Sequence, residues 1–437
     1  MATESRYTVV EALLTNANGV QIDVKNNIVE YTFFEHVTSP YVHGNFVIVD
    51  DMGLKDLMEI KGTELLELKI RYNDATENEE LTIDKLFYLS RIEVTSFTNS
   101  GAEVLLVHIV EEFVFRNSFK QFSKSYDGTF ESMMARILEN NFQKQIEVRT
   151  TNTSAQGRRK VIVPYLTPLE AAMWLRDRAT TRSGFPFILH SSLYNNNFIL
   201  NDLENVINKT TRPRNADFPL EYNPAKGNLE VGEDIEALIR QATSVKKVDG
   251  ENTIKMAENG AIGSLYVTTD VASNQSSESH ISVRNILDEM YVNGVLERNT
   301  YASFFDPLLQ IDGRLMDDYN AVAVHTVESG KTYNNFLGYN DDNADLRMRC
   351  NVIKHIFDRN TLEVTMSGAL FMIGQVTVGE KLRFIVRSNR TGEFTTVDNR
   401  MSGDYCILSV RTVLADGNSS ALVNMCKVSD LPPGTAE

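Results

Sequence analysis

Histidine is the first residue type to consider for catalysis in this 437-residue chain, because its side chain gains and loses a proton near neutral pH. The chain has seven His, scattered rather than paired at the spacing of a zinc site. In or beside strand-like runs we find His36, His43, His108, His325 and His355. In such runs a surface or hydrogen-bonded structural role is favoured over a catalytic one.

Other signatures of catalysis are missing from the sequence. It contains no nucleophile elbow, phosphate-binding loop or Cys-x-x-Cys pair. Cys350, Cys406 and Cys426 are odd in number and lie among apolar neighbours, which favours buried reduced thiols over disulfides or a metal site. We therefore predict no catalytic, cofactor-binding or metal-binding residues, and no enzymatic activity. The carboxylates could still include a glycosidase pair, because such a pair has no sequence signature, so a peptidoglycan-degrading protein stays an alternative.

Aromatic residues near the N-terminus suggest a second alternative. Phe33, Phe34 and Tyr41 could stack on sugar rings if they were exposed on a β-sheet. Aromatic residues at strand spacing are more often part of a core. A carbohydrate-binding β-rich module therefore stays open beside the structural interpretation.

The overall charge limits the choice of partners. Lys and Arg number 43 against 59 Asp and Glu, giving a net charge of -16. Such an acidic chain is a poor match for a protein that grips nucleic acid by neutralising phosphates, although DNA could pass it without specific binding. No window has the 18 or so apolar residues of a membrane span, and the N-terminus lacks the pattern of a secretion signal. We expect a protein that is made in the cytoplasm and not secreted.

The first part of the chain has the alternation of half-buried strands. Leu66, Leu68, Ile70 and Tyr72, for example, share one face of a single run. The predicted strands are 28–37, 44–50, 65–72, 87–97 and 103–115. A polar loop at 73–80 should leave Glu77, Glu79 and Glu80 exposed to solvent.

The period then changes to that of helices. Thr129 is a possible N-cap, and Thr167 with Glu170 forms a capping box at the start of a helix that Gly184 should end. The runs 185–189 and 197–201 read as a hairpin, and residues 235–242 and 286–295 as amphipathic helices. A polar stretch at 270–279 is predicted to be a loop.

The last hundred residues return to strands, at 346–357, 361–366, 381–387, 405–413 and 421–428. Their order resembles that near the N-terminus. Gly62 and Val104 correspond to Gly379 and Ala421, an offset of about 317 residues. We infer a duplication and predict an α+β fold, mainly β, in which two similar antiparallel β-barrels flank mixed α/β inserts.

The predicted domains follow from these changes of pattern. The first barrel covers 1–116 and a mixed α/β middle domain 117–215. Helical and loop segments at 216–345 contribute to the middle domain and the second barrel, which covers 346–430, and 431–437 is a C-terminal tail.

In this order the motifs resemble those of baseplate hub proteins of contractile-tailed phages and related contractile injection systems. The resemblance is carried by 44–50 and 60–65 for the first barrel, by 123–128 and 163–172 for the middle domain, and by 402–411 for the last barrel. The chain departs from the family at Thr412, where His is common, and the role of 314–344 cannot be assigned.

The resemblance implies a structural protein of the virion baseplate. It implies a homotrimer whose two tube domains per chain form a pseudo-six-fold ring between the hexameric tail tube and the trimeric central spike. The expected partners are the spike, tail tube or tube-initiator proteins, baseplate wedge proteins and the tape measure protein, with DNA passing through the channel. No cofactor is expected.

Overall fold

Strands dominate the computed structural model, which describes residues 7–51, 53–72, 82–98, 101–150, 152–208, 219–224, 240–249, 253–270, 274–293, 310–328, 344–358, 360–374, 376–388 and 396–431. The strands before residue 150 are β1 (Tyr7–Thr15), β2 (Gln21–Asp23), β3 (Ile28–His36), β4 (His43–Asp50), β5 (Leu65–Tyr72), β6 (Ile83–Phe97), β7 (Glu103–Glu111), β8 (Phe122–Gly128) and β9 (Ile146–Val148). Those that follow are β10 (Arg159–Leu166), β11 (Phe187–Ser192), β12 (Asn195–Asp202), β13 (Leu220–Tyr222), β14 (Ala242–Asp249), β15 (Gly263–Asp270), β16 (Gln275–Ser282), β17 (Gln310–Ile311), β18 (Arg314–Leu315), β19 (Val322–Glu328), β20 (Asn360–Ser367), β21 (Lys381–Ser388), β22 (Thr396–Val397), β23 (Gly403–Ala415) and β24 (Asn418–Ser429).

Helices occupy the connections between these strands. They are α1 (Leu54–Leu57), α2 (Glu112–Ser118), α3 (Phe130–Phe142), α4 (Pro168–Arg176), α5 (Leu203–Asn208), α6 (Thr253–Glu258), α7 (Val283–Val292), α8 (Ala344–Asp358) and α9 (Ala369–Gly374), with a short 3-10 turn at Met316–Asp318. None of the helices in the described ranges is long and apolar enough to cross a membrane.

The first group of strands forms an antiparallel sheet in the order β3-β4-β7-β6-β5, continued by β1 and β2. Side chains on β4 and β5 alternate between buried and half-buried, as one face packs on a core. Gly44 lets β3 and β4 approach closely, because a Cβ atom there would lie 2.3 Å from the Thr32 carbonyl oxygen.

The second group repeats this arrangement. Its strands lie in the order β14-β20-β24-β23-β21, and the pairs between neighbours are antiparallel. A short helix follows the second strand of each group, α1 in the first and α9 in the second. Gly62 and Gly379 both have positive φ, +86° and +74°, just before β5 and β21. The same strand order therefore occurs twice, once within residues 28–111 and once in strands drawn from residues 242–429.

Pairing between β3 and β23 joins the two groups into one continuous sheet. The expectation of a mainly β fold with antiparallel sheets and inserted helices is confirmed. The strands of the described ranges do not close into a barrel, so neither of the two expected barrels is seen as a closed one.

A separate core is built by elements that follow the first group in sequence: α3, α4 and the sheet β11-β12-β9. Thr129 caps α3 by accepting from the Ser132 amide, and Thr167 with Glu170 forms the predicted capping box of α4. The predicted hairpin is also present, as β11 and β12.

Several local predictions were wrong. Residues 112–115 belong to α2 rather than to a strand, and Gly184 does not end α4, whose last residue is Arg176. Residues 346–357 form α8, because buried Cys350, Ile353 and Phe357 recur at helical spacing, and His355 is therefore on a helix. Part of the predicted loop 270–279 is β16, since pairing with β15 outweighs its polar composition.

Other predictions have only a partial test. Helix α7 confirms most of the predicted helix 286–295, and Ser282 caps it. Residues 235–239, and the loop with Glu77, Glu79 and Glu80, lie outside the described residues. In the segment 314–344 the described part contains β18, the 3-10 turn and β19, and β19 pairs in parallel with β15.

Candidate assembly interface

The contact between β3 and β23 is a backbone ladder whose buried face is mostly apolar, with Glu35 and Thr412 as its polar members. Phe33 lies opposite Thr412, and Tyr31 lies opposite Leu414. All four side chains are buried, and Phe33 packs its ring edge-to-face against Phe46 at 6.1 Å between centroids. On the other face, the Arg411 guanidinium lies 5.7 Å from the centre of the Phe34 ring. We call this ladder the internal seam.

A buried carboxylate ties the internal seam to the middle of the chain. Glu35 Oε1 on β3 accepts hydrogen bonds from the Leu193 amide at 3.0 Å and from the Thr377 hydroxyl at 3.2 Å. Its second oxygen is buried without a hydrogen-bond partner, as are the hydroxyls of Tyr194 and Thr412, which approach each other without hydrogen-bond geometry. Burial raises the pKa of Glu35 to about 7, although the bonds from Leu193 and Thr377 act in the opposite direction.

A second buried cluster fixes the middle of the chain to the first group of strands. Lys85 Nζ lies 2.8 Å from Glu111 Oε1, and Lys144 Nζ lies 3.1 Å from the same oxygen. Lys85 also donates to the Asn195 carbonyl, and the Val42 amide donates to Glu111. Burial alone would raise the pKa of Glu111, but the two ammonium groups lower it to about 2. The same burial lowers the pKa of Lys144.

None of these buried charged groups was predicted from the sequence. The available signal is a break in strand alternation: Lys85 stands between Ile83 and Phe87 on the inward face of β6, and Glu111 follows Ile109 on that of β7. An ionisable residue at an inward position indicates a buried ion pair or a functional site.

Two other strips of strand remain exposed. The second half of β6 is bonded to β7 on one side, with no described strand along its other edge. Strand β14 is bonded to β20 on one side; a bridge between Glu221 of β13 and Gln241 contacts its start, and no described strand pairs with residues 244–249 along its other edge. Phe97 and Val94 on β6 are 67% and 41% exposed, and Val248 on β14 is 39% exposed. Exposed edge strands with apolar side chains invite pairing with another chain.

The residues considered for sugar binding are not arranged as a platform. Phe33 is fully buried, so it cannot contact a sugar. Phe34 and Tyr41 are half-buried and lie on either side of His43, with the Phe34 ring stacked on the imidazole at 5.2 Å between centroids. Burial lowers the pKa of His43.

The remaining candidates for chemistry lie on different secondary-structure elements. His36 contacts Thr38 through Nδ1, and His108 Nε2 lies 3.2 Å from Glu93 Oε1. His325 lies on β19, far along the chain from both. Among the described residues there is no group of three or more His, Cys, Asp or Glu side chains that could hold a metal ion. Cys350, Cys406 and Cys426 are buried free thiols, as predicted.

Comparison of the coordinates with solved structures identifies the fold. No protein-family profile matches the sequence, and no curated protein of similar sequence is found. The chain is similar in structure to the 43 kDa tail protein of prophage MuSo2 from Shewanella oneidensis, with a TM-score of 0.54 and 12% identity over 96% of this chain and 98% of that one. It is also similar to a tail protein from Neisseria meningitidis MC58, with a TM-score of 0.52 and 11% identity over 96% of both chains. The chain therefore has the fold of these prophage and bacterial tail proteins.

Proposed function

We propose that this chain is a structural baseplate hub subunit of a contractile phage-type tail, without enzymatic activity. In this proposal it is part of the virion baseplate, and its two strand groups are the two tube domains. Three copies form a pseudo-six-fold ring that adapts the hexameric tail tube to the trimeric central spike. The ring encloses a channel for the tape measure protein and for DNA, and wedge and tube-initiator proteins bind around it.

The observation that carries this proposal is the repeated strand order within one continuous sheet. Two similar units joined side by side in one chain present six similar units when three chains close around an axis. Such a ring matches a hexameric partner on one face through its six units and a trimeric partner on the other through its three chains. The fold shared with tail proteins agrees with this role.

The charge of the chain also favours DNA that passes through the channel over DNA that binds tightly to the protein. A net charge of -16 gives an acidic molecule, and repulsion between like charges keeps a DNA backbone from adhering to it. Lys85 is buried in an ion pair with Glu111, so its ammonium holds parts of the chain together and cannot contact phosphate.

The test is the mass and shape of the purified full-length chain. Light scattering should give about three times the 49.3 kDa of one chain, and electron microscopy should show a three-fold ring with an open centre. Capture of a separately purified spike trimer by this ring, and not by a monomeric fraction, would support the adaptor role. A stable monomer, or cleavage of peptidoglycan abolished by a single carboxylate substitution, would contradict the proposal.

A further inference from the structure

The two exposed strips, residues 91–97 of β6 and strand β14, have counterparts in the other strand group that are paired. In the first group β3 occupies the position that β14 occupies in the second, because β3 pairs with β4 as β14 pairs with β20. In the second group β23 occupies the position of β6. Residues 244–249 of β14 and residues 91–97 of β6 therefore lack, among the described strands, the pairing that β3 and β23 give each other in the internal seam.

Irregularities in the ladders align the two groups residue by residue. The β6–β7 register shifts between Leu89 and Arg91, and the β23–β24 register shifts between Ile407 and Ser409. Arg91 therefore corresponds to Ser409, and Val94 corresponds to Thr412. Aligning the register shifts of the β3–β4 and β14–β20 ladders in the same way makes Phe33, which pairs with Gly44, correspond to Lys247, which pairs with Leu362. Phe34 then corresponds to Val248.

Comparison of the exposed fractions of equivalent side chains shows that the β6 strip lacks a covering strand. Val410, Thr412 and Leu414 are each 1% exposed or less in the internal seam, where β3 covers them. Their counterparts on β6 are Ile92, Val94 and Phe97, of which the last two are 41% and 67% exposed. Equivalent positions are thus covered within the chain at one end and open at the other.

We propose that β14 of one copy of this chain pairs antiparallel with residues 91–97 of β6 in a second copy, in the register of the internal seam. Val94 then lies opposite Lys247 of the neighbouring copy, and Glu93 lies opposite Val248. We call this ladder the subunit seam. This seam specifies how neighbouring subunits of the proposed ring are joined, and it rests on the proposed function.

The contact joins two different surfaces of the same chain. Such head-to-tail contacts generate a closed ring when the rotation between copies completes a circle. Each copy uses its β6 strip toward one neighbour and its β14 toward the other, so no sheet edge of this kind stays open in the ring.

The subunit seam differs chemically from the internal one. Where the internal seam has Phe33 and Phe34, β14 has Lys247 and Val248. The Lys246 ammonium, 73% exposed and 3.9 Å from Glu363 Oε1, points from the same face as Glu93 and lies diagonal to it across the subunit seam. Glu93 already contacts Arg91 and His108. A charged ladder of this kind selects register and partner, whereas the largely apolar internal seam supplies stability within the chain.

Engineered disulfides in the purified full-length chain test the register. Residues directly opposite in an antiparallel ladder have Cα atoms about 4.5 to 5.5 Å apart, which suits a disulfide. Val94→Cys combined with Lys247→Cys should give a covalent trimer on a non-reducing gel after oxidation. The matched control is Val94→Cys with Lys246→Cys, because residue 246 points to the opposite face and should leave the chains unlinked. The three native cysteines are buried and outside any disulfide, and both variants keep them.

Substitutions that change the charge or the shape of residue 94 give an independent test of the subunit seam. Val94→Lys places an ammonium opposite that of Lys247 and should raise the dissociation constant of the ring at least about tenfold. Val94→Thr, which installs the residue found at the equivalent position 412, should keep the ring intact. Val94 is exposed in the single chain, so both variants are expected to fold.

The outcomes distinguish a failure of the proposed subunit seam from a failure of the proposed function. A three-fold ring without a Val94–Lys247 cross-link, or with a cross-link only in the control variant, overturns the proposed seam and leaves the tail function standing. A chain that forms no ring overturns both. Cross-linking of either single cysteine variant to the same extent would show random collision and would also overturn the seam.

Discussion

Replacement of Glu35 by Gln should change how the stability of the chain depends on pH. Glu35 is fully buried on β3, and burial raises its pKa from an ordinary value of 4.5 to about 7. One pKa unit corresponds to about 1.4 kcal/mol, so ionising this carboxyl in the folded chain costs roughly 3 kcal/mol more than in the unfolded chain.

The sign follows from which state binds more protons. Between pH 4.5 and about 7 the folded chain keeps the proton on Glu35 that the unfolded chain has lost. The contribution of Glu35 to stability is therefore greatest below pH 4.5 and falls as pH rises through about 7. Glu35→Gln keeps the shape and an oxygen for Leu193 and Thr377 but cannot ionise. Its advantage over the wild type should grow by about 2 to 3 kcal/mol between pH 5 and pH 8.

Urea unfolding at pH 5, 6, 7 and 8 measures this difference. Two other strongly shifted groups titrate below this range: the pKa of Glu111 is lowered to about 2 by its two ammonium partners, and that of His190 to about 3 by burial and by Arg149. All other titrating groups are common to the two proteins and cancel in the difference. Glu30→Gln, at a half-buried position of the same strand, is the matched control. Parallel free energies of unfolding for wild type and Glu35→Gln across this range would refute the reasoning.

Three further changes test the packing of the strand groups. Lys85→Met should lower the free energy of unfolding by about 3 to 5 kcal/mol, because it leaves Glu111 buried with one partner fewer. The double variant Lys85→Met with Glu111→Leu should recover part of this loss, as measured by thermal unfolding. Gly44→Ala should lower the melting temperature by several degrees, because the added Cβ meets the Thr32 carbonyl at 2.3 Å; an unchanged melting temperature would show that β3 and β4 separate freely. Thr167→Ala should cost about 1 kcal/mol through the lost cap of α4, measured by urea unfolding, whereas Thr167→Ser should cost little.

The local structure was largely predictable where a pattern has a single physical explanation. Alternation identified β5 and the capping box identified the start of α4, because both depend on neighbouring residues alone. The helix α8 was missed since its apolar residues also suit a strand of the same length, and only packing against the second strand group decides between them.

The interface was much less predictable. The repeat was visible in the spacing of Gly62 and Gly379, but the internal seam joins residues from opposite ends of the chain, and one sequence contains no signal for such a pair. The burial of Glu35 likewise depends on Leu193 and Thr377, which reach it from two other parts of the fold. Contacts of this kind follow from topology, which the strand pattern leaves open.

The internal seam sets the order of events when the chain is made. The core of the first strand group includes Met372 and Leu414, which a ribosome adds on the order of tens of seconds after β3 has emerged. Until then the edge of β3 lacks its partner, and Phe33 and Tyr31 lack their cover. Folding of the N-terminal strand group is therefore completed only after β23 has been synthesised, and a chain that ends before β23 keeps an apolar strand edge open to pairing with other chains.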